Sequence, residues 1–202
     1  MPAPEQGGAW GILGGTFDPV HRGHLNLALE MCRAQGLDGV LFVPAHIHPF
    51  KADRGSALYH HRVAMLRLAL NGTDQLLVDE VEAELGLSGF TVDTVRALKQ
   101  KYPAAGFAFI IGADLLNQMQ SWHDPEELLR ETVILAGARP GFELKAADAL
   151  PADRVILVAT ETAPISSTEL RAMIARGEPR EALTRWIPEP VLEYIEKERL
   201  YR

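Results

Sequence analysis

At 202 residues with a net charge of -7, 47% hydrophobic and 23% charged, the chain has material for a buried core and no bias toward disorder. The negative balance excludes a general nucleic-acid binder, which needs a basic surface to displace phosphate counterions. The start MPAPEQGGAW lacks the blocks of a signal peptide, no apolar run approaches the ~20 residues of a bilayer span, and the single cysteine, Cys32, excludes a disulfide framework and suits a reducing cytoplasm.

The first apolar run, Trp10 to Leu13, is followed by a helical pattern in which Leu25, Ala28, Leu29 and Cys32 share a face and Gly36 ends the helix. Cys32 on that face reads as a small buried hydrophobe. A second run, Val40 to Val43, precedes a helix carrying Val63, Leu66 and Leu70. A third, Leu76 to Val78, precedes a helix carrying Val95, Leu98 and Tyr102. Phe107 to Ile111, Val133 to Leu135 and Val155 to Val158 complete the set. Continuous rather than alternating apolar runs mark strands covered on both faces, and strands alternating with helices mark a parallel sheet. The residues between Pro140 and Asp153 collect Gly, Pro and charges and read as a loop. Ser166, three residues before Glu169, opens a helix that Gly177 closes, and a last helix starting at Pro188 turns Val191, Leu192 and Ile195 inward. The expected fold is α/β, a Rossmann-like doubly wound parallel sheet with helices on both faces and a small C-terminal helical part. It forms one domain over residues 1–202, with the sheet core in 8–160 and the C-terminal helices in 165–202.

The chemistry concentrates in a few blocks. GGTFDPVHRGHL, residues 14–25, lies between the first strand and the first helix, where open α/β sheets bind ligands. Gly14 and Gly15 would let the backbone turn sharply and approach a phosphate, and His21 and His24 would share a face of the first helical turn beside its amides. Read alone, the same residues could simply make a turn and cap a helix. ISSTELR, residues 165–171, joins a hydroxyl-rich cap of Ser166, Ser167 and Thr168 to Arg171, which can fork onto phosphate oxygens. An ordinary cap with a surface arginine has the same sequence. GADLLNQMQSW, residues 112–122, starts with Gly112 at the end of the fourth strand. Asp114 there is placed to accept from ribose hydroxyls and Trp122 to face an aromatic ring, or else they cap a helix and fill core. The amides of SGFTVDT, residues 88–94, including Phe90 and Thr91, open a helix and can hold a carboxylate. Lys51, in FVPAHIHPFK, is a mobile point charge suited to a phosphate. His46, His60 and His61 read as surface or packing residues, with no carboxylate or cysteine at ligand spacing, so no protein-held metal is expected.

GGTFDPVHRGHL resembles the HxGH signature of the nucleotidyltransferase superfamily, in the form GGTFDPxHxGH of bacterial nicotinate-nucleotide adenylyltransferases, and ISSTELR resembles their second signature, ISSTxxR. The resemblance runs through residues 10–202 as ordered motifs, with 140–153 contributing nothing. It implies adenylyl transfer from ATP to nicotinic acid mononucleotide, giving nicotinic acid adenine dinucleotide and pyrophosphate in NAD biosynthesis. It implies roles for Gly14, Gly15 and His21 at the triphosphate, and for His24 as the catalytic group there. Ser166, Ser167 and Thr168 would line the nucleotide site, Arg171 would hold the β and γ phosphates, and Gly112 and Asp114 would meet the ribose. Thr16, Phe17 and Lys51 would lie at the mononucleotide phosphate, and Phe90, Thr91 and Trp122 at the pyridine ring. Gly89 and Phe90 depart from the family's SYTxxT, and His48, Pro49 and Phe50 before Lys51 depart from PPHK. Mg²⁺ is expected on the triphosphate rather than in a carboxylate cage. Alternatives are a relative acting on nicotinamide mononucleotide or phosphopantetheine, and, from another class, a non-catalytic nucleotide-binding sensor module. Self-association is left open by the sequence, and no nucleic acid or membrane partner is expected.

Overall fold

The structure is a computed structural model that describes residues 3–46, 56–138, 151, 153–161 and 165–202. Six strands, β1 (Gly8–Gly15), β2 (Gly39–Pro44), β3 (Leu76–Val78), β4 (Ala105–Gly112), β5 (Val133–Ala138) and β6 (Val155–Ala159), form one sheet. They lie in the order β3-β2-β1-β4-β5-β6, and every neighbouring pair is parallel. Parallel neighbours need crossovers, and helices supply most of them: α1 (Arg22–Gln35), α2 (Tyr59–Leu70), α3 (Val81–Leu85), α4 (Thr91–Lys101) and α5 (Pro125–Glu131). A 3-10 helix spans Ala113–Ser121, and α6 (Ser167–Ala175), α7 (Arg180–Thr184) and α8 (Glu189–Lys197) follow β6. Among the described residues no helix is long and apolar enough to cross a membrane.

The strands explain why their apolar runs are continuous. Side chains alternate between faces along a strand, so Val40 and Phe42 of β2 enter one core while Leu41 and Val43 enter the other. In β4, Ile110 faces the first core and Phe109 and Ile111 the second. The first core is built with Leu27, Ala28 and Met31 of α1, Met65 and Leu66 of α2, and Val191, Leu192 and Ile195 of α8. The second is built with Val95 and Leu98 of α4, Leu116 and Met119 of the 3-10 helix, and Leu128 of α5. Cys32 is buried on α1, and Gly36 ends that helix in the left-handed region at φ 64°, where a Cβ would be strained.

All six strands fall where the sequence puts them. The expected loop at 140–153 lies outside the described residues except for Pro151 and Asp153. One expectation about the backbone is corrected. Gly14 and Gly15 do not make a turn; they stay in β1, paired with Val43 and Pro44. The left-handed residue is Phe17, at φ 52°, followed by a cis Asp18–Pro19 bond. What the glycines supply is room: a Cβ on Gly15 would lie 3.1 Å from the Phe17 ring, and one on Gly14 3.3 Å from Phe109.

Candidate active site

From β1 the connections run outward to β2 and β3, and from β4 they run the other way to β5 and β6. The two central strands therefore part at their carboxyl ends, which is the switch point where open sheets bind ligands. A cavity of about 420 Å³ opens there. Its walls come from Gly14 to Asp18, His21 and His24 on the first side, Ile110 to Gly112, Asp114 and Leu115 on the second, and Ile165 to Thr168 with Arg171 on the third. Two stretches about 150 residues apart in the chain thus meet over one space.

His21 is the N-cap of α1 in an extended conformation, and His24 occupies the third position of the helix. The His21 amide N–H donates to Nδ1 of His24 at 3.2 Å, so the neutral His24 ring carries its proton on Nε2. The rings stack at 3.7 Å, and the Phe17 ring meets His24 edge-on at 5.1 Å. The left-handed turn at Phe17 buries that ring under the motif and packs it on Phe42 at 5.5 Å. Burial pushes His21 down from 6.5 to about 4. Burial, then the neighbouring His21, pushes His24 well below the ordinary imidazole range. Both rings are therefore neutral near pH 7, each with one N–H that it can donate.

This burial has a consequence for stability. Between about pH 6.5 and 4 the unfolded His21 binds a proton that the folded one refuses, so stability is complete above that window and is lost as pH falls through it. Urea unfolding should show the free chain about 2 kcal/mol less stable at pH 5 than at pH 7. His21→Asn puts a favoured capping residue at that position and should reduce the slope to the part that the buried His24 contributes; an equal slope in both proteins would dismiss the His21 imidazole as a cause.

Ser166 caps α6 by accepting the Glu169 N–H at 3.1 Å, and Ser167 Oγ donates to the Pro19 carbonyl at 2.9 Å. Arg171, one turn on, donates Nη1 to the Asp18 carbonyl at 2.8 Å, with the Asp18 carboxylate 3.6 Å away. Asp18 is buried at 1% exposure, and its Oδ1 accepts from Ala57 N–H at 3.0 Å and from the Tyr201 hydroxyl at 2.6 Å. The N-terminal motif and α6 are thereby bolted together, with the guanidinium on the cavity wall.

Nothing in the sequence singles out Arg62. At 6% exposure it donates Nη1 to the Thr16 carbonyl and Nη2 to the Ala45 carbonyl, both at 2.8 Å, and Nε to Ala57 at 3.3 Å. One guanidinium satisfies backbone acceptors where β1 and β2 end, which fixes the floor of the site.

The cavity gathers Gly14, Gly15, Thr16, Phe17, His21, His24, Gly112, Asp114, Ser166, Ser167, Thr168 and Arg171. Phe90, Thr91 and Trp122 are not on its wall. Phe90 caps α4 and stacks on His123 at 4.1 Å, and Trp122 stands edge-on to Phe109 at 6.4 Å, one ring removed from Gly14. Lys51, His48 and Phe50 lie outside the described residues. The donors on the wall are amides, hydroxyls, imidazoles and a guanidinium, which is a set for phosphate oxygens. Among the described residues no group of three metal-ligating side chains is assembled, and of the two wall carboxylates Asp18 is already engaged.

Residues 12–173 match the cytidylyltransferase-like family. A probable nicotinate-nucleotide adenylyltransferase of Salinispora arenicola is 40% identical over 94% of this chain and 100% of its own. One of Bacillus licheniformis is 37% identical over 95% and 97%. The chain belongs to the nicotinate-nucleotide adenylyltransferase family. Its fold is also that of the Plasmodium falciparum nicotinic acid mononucleotide adenylyltransferase complexed with APC, at a TM-score of 0.79 and 21% identity over 96% of this chain and 97% of that one. The same enzyme complexed with NaAD gives a TM-score of 0.78. Within this family fold, GGTFDPVHRGHL and ISSTELR form two of the three walls of the cavity.

Proposed function

We propose that this adenylyltransferase joins the AMP part of ATP to nicotinic acid mononucleotide, with the chemistry in the cavity between β1, β4 and α6. The observation that carries the reading is the convergence of His21, His24 and Arg171 on one space whose other donors are amides and hydroxyls. Such a site neutralises phosphate charge and contains no nucleophile beside a base.

None is required. The second pKa of a phosphomonoester is about 6, so the mononucleotide phosphate arrives ionised. One of its oxygens bonds to the α-phosphorus of ATP as the bond from that phosphorus to the bridging oxygen breaks, and the electron pair leaves on pyrophosphate. The protein contributes by alignment and by stabilising the charge that spreads over the α-phosphate and the leaving group. His24 Nε2–H and His21 would donate to the triphosphate. Arg171 would take the β and γ oxygens, with Ser166, Ser167 and Thr168 around them. The backbone of Gly14 and Gly15 would run beside the phosphates, and Gly112 and Asp114 would meet the adenosine ribose. Thr16, Phe17 and Lys51 would attend the mononucleotide phosphate, and Phe90, Thr91 and Trp122 its base. Mg²⁺ would be held by the phosphates, where it masks charge.

Preference for the acid over the amide rests on the first-turn amides of α4. Ser88 Oγ accepts the Phe90 N–H at 3.2 Å and donates to Asp93 at 2.6 Å, which holds the backbone at that entrance, and the substrate carboxylate would be met by the amides that follow Phe90. Pyrophosphate release should be measured with ATP, Mg²⁺ and, in turn, nicotinic acid mononucleotide, nicotinamide mononucleotide and phosphopantetheine. The acid should be the best acceptor by more than tenfold in kcat/KM. Faster release with either other acceptor would replace the substrate assignment, and release with none would leave a nucleotide sensor.

A further inference from the structure

Tyr201 has no place in the reaction as drawn, yet its side chain is spent on a residue of the catalytic motif. The chain leaves α8 through a reversal in which Glu198 N–H reaches the Tyr194 carbonyl at 2.9 Å and Leu200 N–H the Ile195 carbonyl at 3.0 Å. Arg199 takes the left-handed position between them at φ 54°, in the manner of a Schellman close. That reversal lays the Tyr201 ring against the first core and brings its hydroxyl 2.6 Å from Asp18 Oδ1.

Asp18 is thus held from two sides, by Tyr201 and by the Ala57 N–H. Its remaining oxygen, Oδ2, is buried with no hydrogen bond and faces Arg171 Nη1 at 3.6 Å, and its main-chain carbonyl takes the same nitrogen at 2.8 Å. A carboxylate with one oxygen anchored cannot rotate, so its second oxygen has a fixed place. That charge and the carbonyl beneath it help to orient the guanidinium, whose Nη2 also donates to Thr168 Oγ1 at 3.4 Å.

We propose that Tyr201 is a positioning residue for adenylyl transfer, acting through Asp18 to set the Arg171 guanidinium on the cavity wall. The phenol is suited to the task. Burial, then its hydrogen bond to Asp18, raises its pKa, so it stays a donor across the working range. The proposal rests on the reading that Arg171 meets the leaving phosphates.

Tyr201→Phe keeps the ring and removes only the hydroxyl. It should lower kcat about tenfold, as expected when one hydrogen bond to a buried charge is lost, while KM for ATP changes less than twofold and the thermal midpoint stays within a few degrees. In an Arg171→Ala background the same substitution should change kcat less than twofold, because the group being positioned is gone. Asp18→Asn, which keeps the acceptor for Tyr201 and removes the charge facing Arg171, should behave likewise in both backgrounds and serves if the phenylalanine variant is poorly folded. An equal kcat loss with and without Arg171, or no loss in either single variant while Arg171→Ala is impaired, overturns the relay alone. Wild-type turnover in Arg171→Ala overturns the catalytic reading of that arginine and the relay with it.

Discussion

His24→Ala should lower turnover about 10²- to 10³-fold, the range seen when one donor to developing charge is removed. The ring is locked for that work. Its Nδ1 accepts the His21 N–H, its faces are held by His21 and Phe17, and burial keeps it uncharged. The donor at Nε2 is therefore in place before ATP binds and needs no reorganisation when charge builds on the α-phosphate. A neutral donor in a desolvated pocket also avoids holding substrate too tightly before reaction, which places its effect in kcat more than in KM. Alanine additionally removes the acceptor for the His21 N–H, a capping loss of about 1 kcal/mol. His24→Asn separates the two effects. Its short amide can still take the cap bond at the third helical position but is too short to present a donor where Nε2 stood. The asparagine variant should recover the thermal midpoint and none of the turnover. Single-turnover pyrophosphate release within threefold of wild type in the alanine variant would remove His24 from the chemistry.

What the sequence reveals of this site depends on whether a contact is local. The capping pair Ser166 and Glu169, the helix stop at Gly36 and the i, i+3 spacing of His21 and His24 are settled within a few residues, and all appear in the structure. The strands are legible because both faces of each central strand are buried, which forces unbroken apolar runs. The short helices α3 and α7, five residues each, and α5, seven, have no room for a periodic signal. The 3-10 helix over Ala113–Ser121 is likewise masked, because its spacing is not the 3.6 residues of an amphipathic helix. Arg62 stands in YHHRVAM as any surface arginine would, and nothing local announces that Thr16, Ala45 and Ala57 supply its acceptors. Tyr201 and Asp18 are 183 residues apart. The misplaced turn is instructive in the same way. Glycine is the residue that tolerates a left-handed backbone best, yet Phe17 takes it, because the ring can then be buried against Phe42 and His24 and Gly15 leaves the space it needs.

Arg171→Ala should also cost about 10² to 10³ in turnover, and by a route that distinguishes it from His24. Two negative charges must separate as pyrophosphate departs, and a guanidinium offers two parallel N–H donors to the leaving oxygens, where lysine offers a point charge. Arg171→Lys should therefore recover little of the loss, a factor of about five on the difference in geometry alone. The site of the damage predicts its signature. Arg171 lies on the α6 wall and is assigned to the β and γ phosphates of ATP rather than to the mononucleotide, so KM for nicotinic acid mononucleotide should move less than twofold while kcat falls. Removing the guanidinium also takes away the cation that faces Asp18 Oδ2 and leaves the buried carboxylate only the field of Arg62, a destabilisation of up to a few kcal/mol, so the thermal midpoint must be followed alongside rate. Asp18→Asn in the Arg171→Ala background relieves the unpaired charge, and the midpoint should rise with turnover unchanged. If turnover rose in step with the midpoint, the loss in Arg171→Ala would be one of folding, and the arginine would be a strut of the fold with no part in the departure of pyrophosphate.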